Sequence, residues 1–185
     1  IRKAQLANNL GNAYSNLNQE TKALSYYKEA LETRENIQNI TNNELGEIHA
    51  NISSSCLKLN ELENAYFHFE KAKKYFLNNN PVNQLALSKI EESIGQYYII
   101  KLDVESALKS YEHSQFLHDS ILNTPAIQSG NRYLTLANLY MMPPFRDTLK
   151  GLFYLKKVNK VGSELLQLET LLFKTSILIH DKKHR

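Results

Sequence analysis

Cys56 is the chain's one thiol and the first side chain to weigh as a nucleophile. It falls at a position that is aromatic in neighbouring copies of an internal repeat. Free cysteine is among the most buried residue types, so it reads as a core thiol. His180 and His184 stand four apart with Asp181 between them, a spacing that could chelate a metal on a helix. A metal site needs a third and a fourth ligand, and this end of the chain is basic, so the pair reads as surface histidines. His113 and His118 are five apart and share no helix face well. The six glycines are scattered, with no Gly-rich phosphate loop and no G-x-S-x-G elbow. The expectation is a chain that is not an enzyme and carries no cofactor and no metal.

The polar pattern is more informative. Asn8, Asn12 and Asn16 recur every four residues, and Asn8 lies about 200° around a helix from Leu10, so the stripe faces away from an apolar side. Side-chain amides both donate and accept, so such a stripe can bond a peptide backbone without demanding one sequence. Nucleic acid is not the expected partner. The 22 basic and 19 acidic residues leave a net charge of only +3, and the densest groups, Lys156–Lys157–Lys160 and Lys182–Lys183–Arg185, read as solvated. Tyr26–Tyr27 and Tyr97–Tyr98 have no identifiable basic groove beside them and read as core rather than base-stacking platforms. The sequons Asn39-Ile40-Thr41 and Asn51-Ile52-Ser53 read as a cap region and a helix face.

The elements that hold these residues repeat. Leu10-Gly11-Asn12-Ala13-Tyr14, followed by Ala23, Tyr27 and Ala30, returns 42 residues later as Ile52-Ser53, Cys56, Ala65, Phe69 and Ala72. A further step gives Ile94-Gly95, Tyr98, Ala107, Tyr111 and Ser114, and a third gives Leu136-Ala137 and Tyr140. The register then slips by two at Met142-Pro143-Pro144-Phe145, so that Gly151, Leu155 and Val158 take the later positions. A large apolar residue, a small one and an aromatic three further on share one side of a helix, and the small residue lets a second helix approach. Each unit is therefore a helix hairpin with one packed seam, and Leu10, Tyr14, Ala23, Tyr27, Ile52, Cys56, Ala65, Phe69, Ile94, Tyr98, Ala107 and Tyr111 are expected to be buried. Helices are expected over about 2–17, 21–38, 42–59, 62–78, 81–101, 104–122, 125–141, 147–160 and 163–182. Thr41-Asn42-Asn43-Glu44 is a capping box, Asn80-Pro81 and Thr124-Pro125 each pair a cap with Pro at the first helical position, and Asp147 and Ser163 are later caps. Few Gly and Pro argue against a β-rich fold, the lone cysteine leaves the redox compartment open, and no apolar run approaches the roughly 18 residues of a membrane span.

These motifs resemble the tetratricopeptide repeat family, whose signature is Leu-Gly-x-x-Tyr on the first helix and Ala-x-x-x-Phe-x-x-Ala on the second. The resemblance implies an all-α, right-handed superhelical solenoid of antiparallel helix hairpins, with about four and a half repeats and nine helices. One array over 1–185 is expected, with repeats near 2–40, 41–80, 81–123 and 124–160 and a terminal helix at 163–182, as part of a longer protein. The early Trp position of the family holds Ala7, His49, Glu91 and Tyr133, and the pitch is 42 rather than about 34. By the resemblance, the stripe side of each first helix lines a concave groove. The candidate groove residues are Asn8, Asn12, Asn16, Asn51, Ser54, Lys58, Lys89, Glu92, Gln96, Asn131 and Asn138. The family's carboxylate clamp would place Asn8, Asn12, Asn51, Lys89 and Ser93 at its positions; two of its three charges are missing, so the clamp is set aside.

The expected function is a protein- or peptide-binding scaffold. The 42-residue pitch, the Asn/Lys/Ile/Tyr-rich composition and Phe116-Leu117-His118-Asp119-Ser120-Ile121 are similar to the repeat-bearing sensor regions of Gram-negative membrane signalling proteins. That similarity implies the sensory or partner-binding region of a bacterial signalling or transcription-regulatory protein, periplasmic and membrane-anchored through a segment outside this sequence. The alternatives are a cytoplasmic adaptor or peptide-responsive regulator and a self-associating scaffold. Leu165, Leu166, Leu168, Leu171, Leu172, Ile177 and Ile179 make the terminal helix apolar on more than one side, so a further covering element is expected, either from the same chain beyond Arg185 or from a partner, a homodimer through this helix being one such pairing.

Overall fold

The computed structural model of the chain describes residues 2–35, 41–121 and 127–161. All eight elements among them are α-helices: α1 Arg2–Asn16, α2 Glu20–Glu35, α3 Asn42–Lys58, α4 Leu62–Leu77, α5 Gln84–Ile100, α6 Val104–Ile121, α7 Ile127–Met141 and α8 Thr148–Val161. The expected ninth helix at 163–182, the caps Thr124 and Ser163 and the His180–His184 pair lie outside the described residues. The chain forms two compact units, Ile1–Tyr97 and Tyr98–Arg185, with the boundary inside α5.

The repeat is written into the backbone. Asn18, Asn60 and Leu102, spaced by 42, all take positive φ of 56–59° and close the turn after α1, α3 and α5. Beside each, an N–H reaches back to the carbonyl five residues earlier: Gln19 to Tyr14, Glu61 to Cys56 and Asp103 to Tyr98, all at 2.8–2.9 Å. The fourth copy keeps the motif and absorbs the two-residue slip in its loop. There Arg146 takes the positive φ, and the Asp147 N–H reaches Tyr140 O at 2.8 Å.

In the first unit α1 pairs with α2, α3 with α4, and α2 with α3. The hairpin seams are set by small residues against rings. A Cβ placed on Gly11 would collide with the Tyr27 ring, and one on Gly46 would lie 2.5 Å from Phe76 Cε1. Ala23, Tyr27, Ile52, Cys56, Ala65, Phe69 and Ile94 are buried as the register requires. Leu10 is not: it is 37% exposed, because no described helix packs on that side of α1, whereas the same side of α3, which carries Ile52, is covered by α2. Tyr14 is half-buried, stacked on Tyr26 at 5.3 Å between centroids with the Lys22 ammonium over its ring. Tyr98, in the second unit, is also half-buried.

Two ion pairs clamp α2 to α3. Arg34 Nη2 meets Glu44 at 2.7 Å, and Lys58 Nζ meets Glu20 at 2.6 Å. Burial pushes the Glu20 carboxyl up, but Lys58, Ser55 and Ser15 outweigh it and hold the group below its ordinary value. The capping box forms as expected, with Thr41 Oγ1 accepting from the Glu44 N–H and the Glu44 carboxylate accepting from the Thr41 N–H. The cap of α5 differs from expectation. Asn83 Oδ1 accepts from the Ala86 N–H at 3.0 Å, so the helix opens at Gln84 rather than at Pro81.

The second unit centres on Ala107, Leu108, Tyr111, Leu136, Leu139 and Tyr140, with Tyr98, Val104 and Tyr154 against them. Asp147 caps α8 by accepting from the Lys150 N–H at 3.0 Å. Gly151, Leu155 and Val158 are buried at the shifted register.

Between α3 and α4, His49 Nδ1 and His68 Nδ1 stand 2.8 Å apart, and His49 stacks on Tyr75. One ring must donate and the other accept, so a second proton would set two N–H groups face to face. Burial, then His68, then Lys71 push His49 down to about 4 from 6.5, and His68 is lowered by burial, Lys28 and Lys71. Both folded-state values lie below the unfolded ones. Their contribution is therefore complete above about pH 6.5 and is lost as pH falls toward 4. For His49, 5% exposed, a drop from 6.5 to about 4 corresponds to a loss on the order of 3 kcal/mol. Thermal melts from pH 7.5 to pH 4.5 are expected to show a falling Tm, with a shallower fall in His49→Phe; equal slopes in the two proteins would refute the assignment.

Candidate functional site

The first unit carries a cavity of about 450 Å³ along the open side of α1, α3 and α5. It gathers Asn8, Asn12, Asn51, Ser54 and Lys89 from the expected set. The amides form a ladder. Asn51 Nδ2 donates to Asn8 Oδ1 at 3.0 Å and to Asn12 Oδ1 at 3.3 Å, and the buried Tyr27 hydroxyl donates to Asn12 Oδ1 at 2.8 Å. Those bonds use the acceptors of Asn8 and Asn12 and the donor of Asn51. The Asn8 and Asn12 amide donors and the Asn51 acceptor bond to nothing among the described residues and remain available to a guest.

Two charges of opposite sign line the same cavity. Lys89 has no ion-pair partner among the described residues. Glu47 accepts from Asn43 Nδ2 at 2.7 Å, and Asn43 in turn accepts from Asn83, which also lines the wall. Ala50, Phe76, Leu85, Ala86 and Ile90 supply the apolar part. All five positions that correspond to the family's clamp, Asn8, Asn12, Asn51, Lys89 and Ser93, therefore border one cavity, with a single cation among them.

The other expected residues lie elsewhere. Asn16 is exposed at the end of α1. Lys58 is engaged by Glu20 and donates to Ser15 Oγ at 3.1 Å. Glu92 is half-buried and Gln96 exposed, and neither lines the cavity; Gln96 is on the side of Lys89 but about 10 Å further along α5. Asn131 and Asn138 belong to α7 in the second unit, the first exposed and the second half-buried. Asn83, Leu85 and Ala86 were not anticipated, because they enter the wall through the late start of α5. Phe76 and Ile90 carry no groove signal, since their apolar side chains read as core.

Among the described residues no three His, Cys, Asp or Glu side chains come together as a metal site, and no helix is long and apolar enough to cross a membrane.

The fold and this cavity define a class: an all-α array of helix hairpins. Residues 4–37 match the family model of the tetratricopeptide repeat, so the α1–α2 hairpin is a repeat of that type. Among solved structures the chain is similar to BtubC (BKLC) from P. vanneervenii, with a TM-score of 0.73 and 16% identity over 85% of this chain and 62% of that one. This likeness shows the fold; the chain spans less than two thirds of that protein's length. No curated protein matches the sequence. Repeats of this kind are ordinarily non-catalytic scaffolds that bind protein partners on extended surfaces.

Cys56, in the α3–α4 seam, is buried, and its thiol faces the Glu61 carboxylate at 3.8 Å. Burial and Glu61 push it up to about 11 from 9.0, the reverse of what a nucleophile needs. A drop of about two decades in thiolate fraction should make labelling by a disulfide reagent at pH 8 about a hundredfold slower than in urea. Labelling at the unfolded rate would mean that the thiol is not held in the seam.

Proposed function

We propose that the chain is a protein- or peptide-binding scaffold whose recognition surface is the cavity along α1, α3 and α5. The observation that carries the reading is the amide ladder. It presents two donors and one acceptor, fixed from behind by Tyr27, beside the Lys89 ammonium. A preorganised amide row suits the repeating donor and acceptor pattern of a peptide main chain, since little side-chain entropy is lost on binding. Lys89 and Glu47 favour a guest that carries one carboxylate and one cationic group. A strongly acidic tail is disfavoured, because one cation cannot neutralise it and Glu47 repels it.

The wider role we propose is the sensory or partner-binding region of a bacterial signalling or transcription-regulatory protein, supported by the sequence similarity to repeat-bearing sensor regions. Asn16, Lys58, Glu92, Gln96, Asn131 and Asn138 would contribute only to a guest that extends beyond the cavity.

Selection of a random peptide display library against the chain should yield binders whose affinity falls about tenfold or more in an Asn51→Ala, Lys89→Ala double variant. Binders indifferent to both substitutions would place recognition elsewhere and sink the groove reading.

A further inference from the structure

The order of the unused groups in the amide ladder carries information about the guest. Asn8 and Asn12 stand four residues apart on α1, about 6 Å along the helix axis. Asn51 of α3 donates to the side-chain oxygens of both. By the 42-residue register it falls between Ala50 and Ser54, the counterparts of Asn8 and Asn12. Along α1 the groups left over therefore read donor, acceptor, donor. Tyr27 and Asn51 fix that order, because a flipped Asn8 or Asn12 amide would lose the bonds its oxygen now accepts.

The conformations open to a peptide answer this order differently. A helical guest spends the N–H and C=O groups of its interior on its own ladder and keeps free ones only at its ends. A polyproline II guest keeps its groups free, but turns the same side to the cavity only every third residue, about 9 Å apart. An extended strand presents along one edge the C=O of one residue, then the N–H and C=O of the residue two further on. Its two carbonyls are about 6.7 Å apart. That is acceptor, donor, acceptor, at a step within about 1 Å of the Asn8–Asn12 step.

The direction of lie follows from the same spacing. A strand crossing from α1 to α3 and α5 would meet successive helices about 8–10 Å apart, out of step with its own repeat. It would also meet Asn8 and Asn12 side by side instead of one after the other. Only a strand running along α1 takes the three groups in sequence.

We propose that the cavity holds an extended peptide strand lying along α1, one edge of which is read by Asn8, Asn51 and Asn12 as a single main-chain step. The proposal rests on the groove reading above and adds the guest's conformation and its direction. The carbonyl of one guest residue accepts from one α1 amide, and the carbonyl two residues on accepts from the other. The N–H between them donates to Asn51 Oδ1. The intervening guest residue turns its N–H and C=O to the opposite edge and makes no bond to the row.

The experiment starts from a display-selected peptide whose affinity depends on Asn51 and Lys89, which tests the groove reading first. N-methyl groups are then placed on its main-chain nitrogens one at a time. Each analogue is titrated by fluorescence anisotropy against the whole chain and against Asn51→Ala, whose fold is checked by circular dichroism. One position is expected to lose about tenfold in affinity for the parent chain and far less for Asn51→Ala, where the bond is already gone. Methylation of the two neighbouring nitrogens should show no coupling to Asn51, and a staple that holds the peptide helical should weaken binding about tenfold or more. Binding that depends on Asn51 and Lys89 but shows no position coupled to Asn51, or that survives the staple, would overturn the strand and leave the groove reading standing. Absence of any peptide dependent on Asn51 and Lys89 would overturn both.

Discussion

Two helices of a hairpin approach closely only where one of them gives up its side chain. At Gly11 that surrendered space is filled by the Tyr27 ring, and at Gly46 by Phe76, so tightly that even a methyl group would have to displace an aromatic ring. In the second unit Gly151 of α8 likewise faces a large side chain of its partner helix, Met141 of α7. Ser53 and Phe69 hold the same register as Gly11 and Tyr27 and are both buried. Interiors are close-packed, so a seam of this kind fixes the spacing and rotation of the pair instead of merely permitting it.

The rotation matters because it decides what is left on the outside. With the Gly11 side of α1 turned to α2, Asn8 and Asn12 point to the open side, and the hydroxyl of the seam's own Tyr27 reaches through to hold Asn12. Core and cavity are thus joined by one side chain: the ring packs and the oxygen orients. The same rotation leaves Leu6, Leu10 and Leu17 on the far side, where α3 in the next copy is covered by α2. The amide row along the cavity and the exposed leucines of α1 are two consequences of one packing decision.

Much of this was legible in the sequence, because it depends on spacing. The seams follow from small and aromatic residues returning every 42 positions, and the capping box at Thr41 follows from Thr and Glu three apart. The two-residue slip was readable at Pro143–Pro144, and the structure places it in the loop before Asp147. What depends on where a helix begins, or on what lies beside it, was not legible. Asn80-Pro81 and Asn83 are both good caps by composition, and only the hydrogen bond to the Ala86 N–H separates them. The later start of α5 brings Leu85 and Ala86 into the wall, and its length carries Gln96 past the cavity's end. Leu10 carries the same apolar signal as Ile52, yet exposure depends on a neighbour that periodicity cannot report. The His49–His68 contact joins residues 19 apart on two helices, and no local pattern marks it.

The dependence of the first hairpin on its glycine–tyrosine seam is open to a double-mutant cycle. Gly11→Ala, Tyr27→Leu and the double variant would be compared with the parent by chemical denaturation. If the ring fills the space that Gly11 leaves, Gly11→Ala alone should cost about 1–3 kcal/mol and far less in the Tyr27→Leu background, giving a coupling of at least about 1 kcal/mol. Additivity within about 0.5 kcal/mol would contradict the account, because the two residues would then not share the contact from which the rest of the hairpin is built.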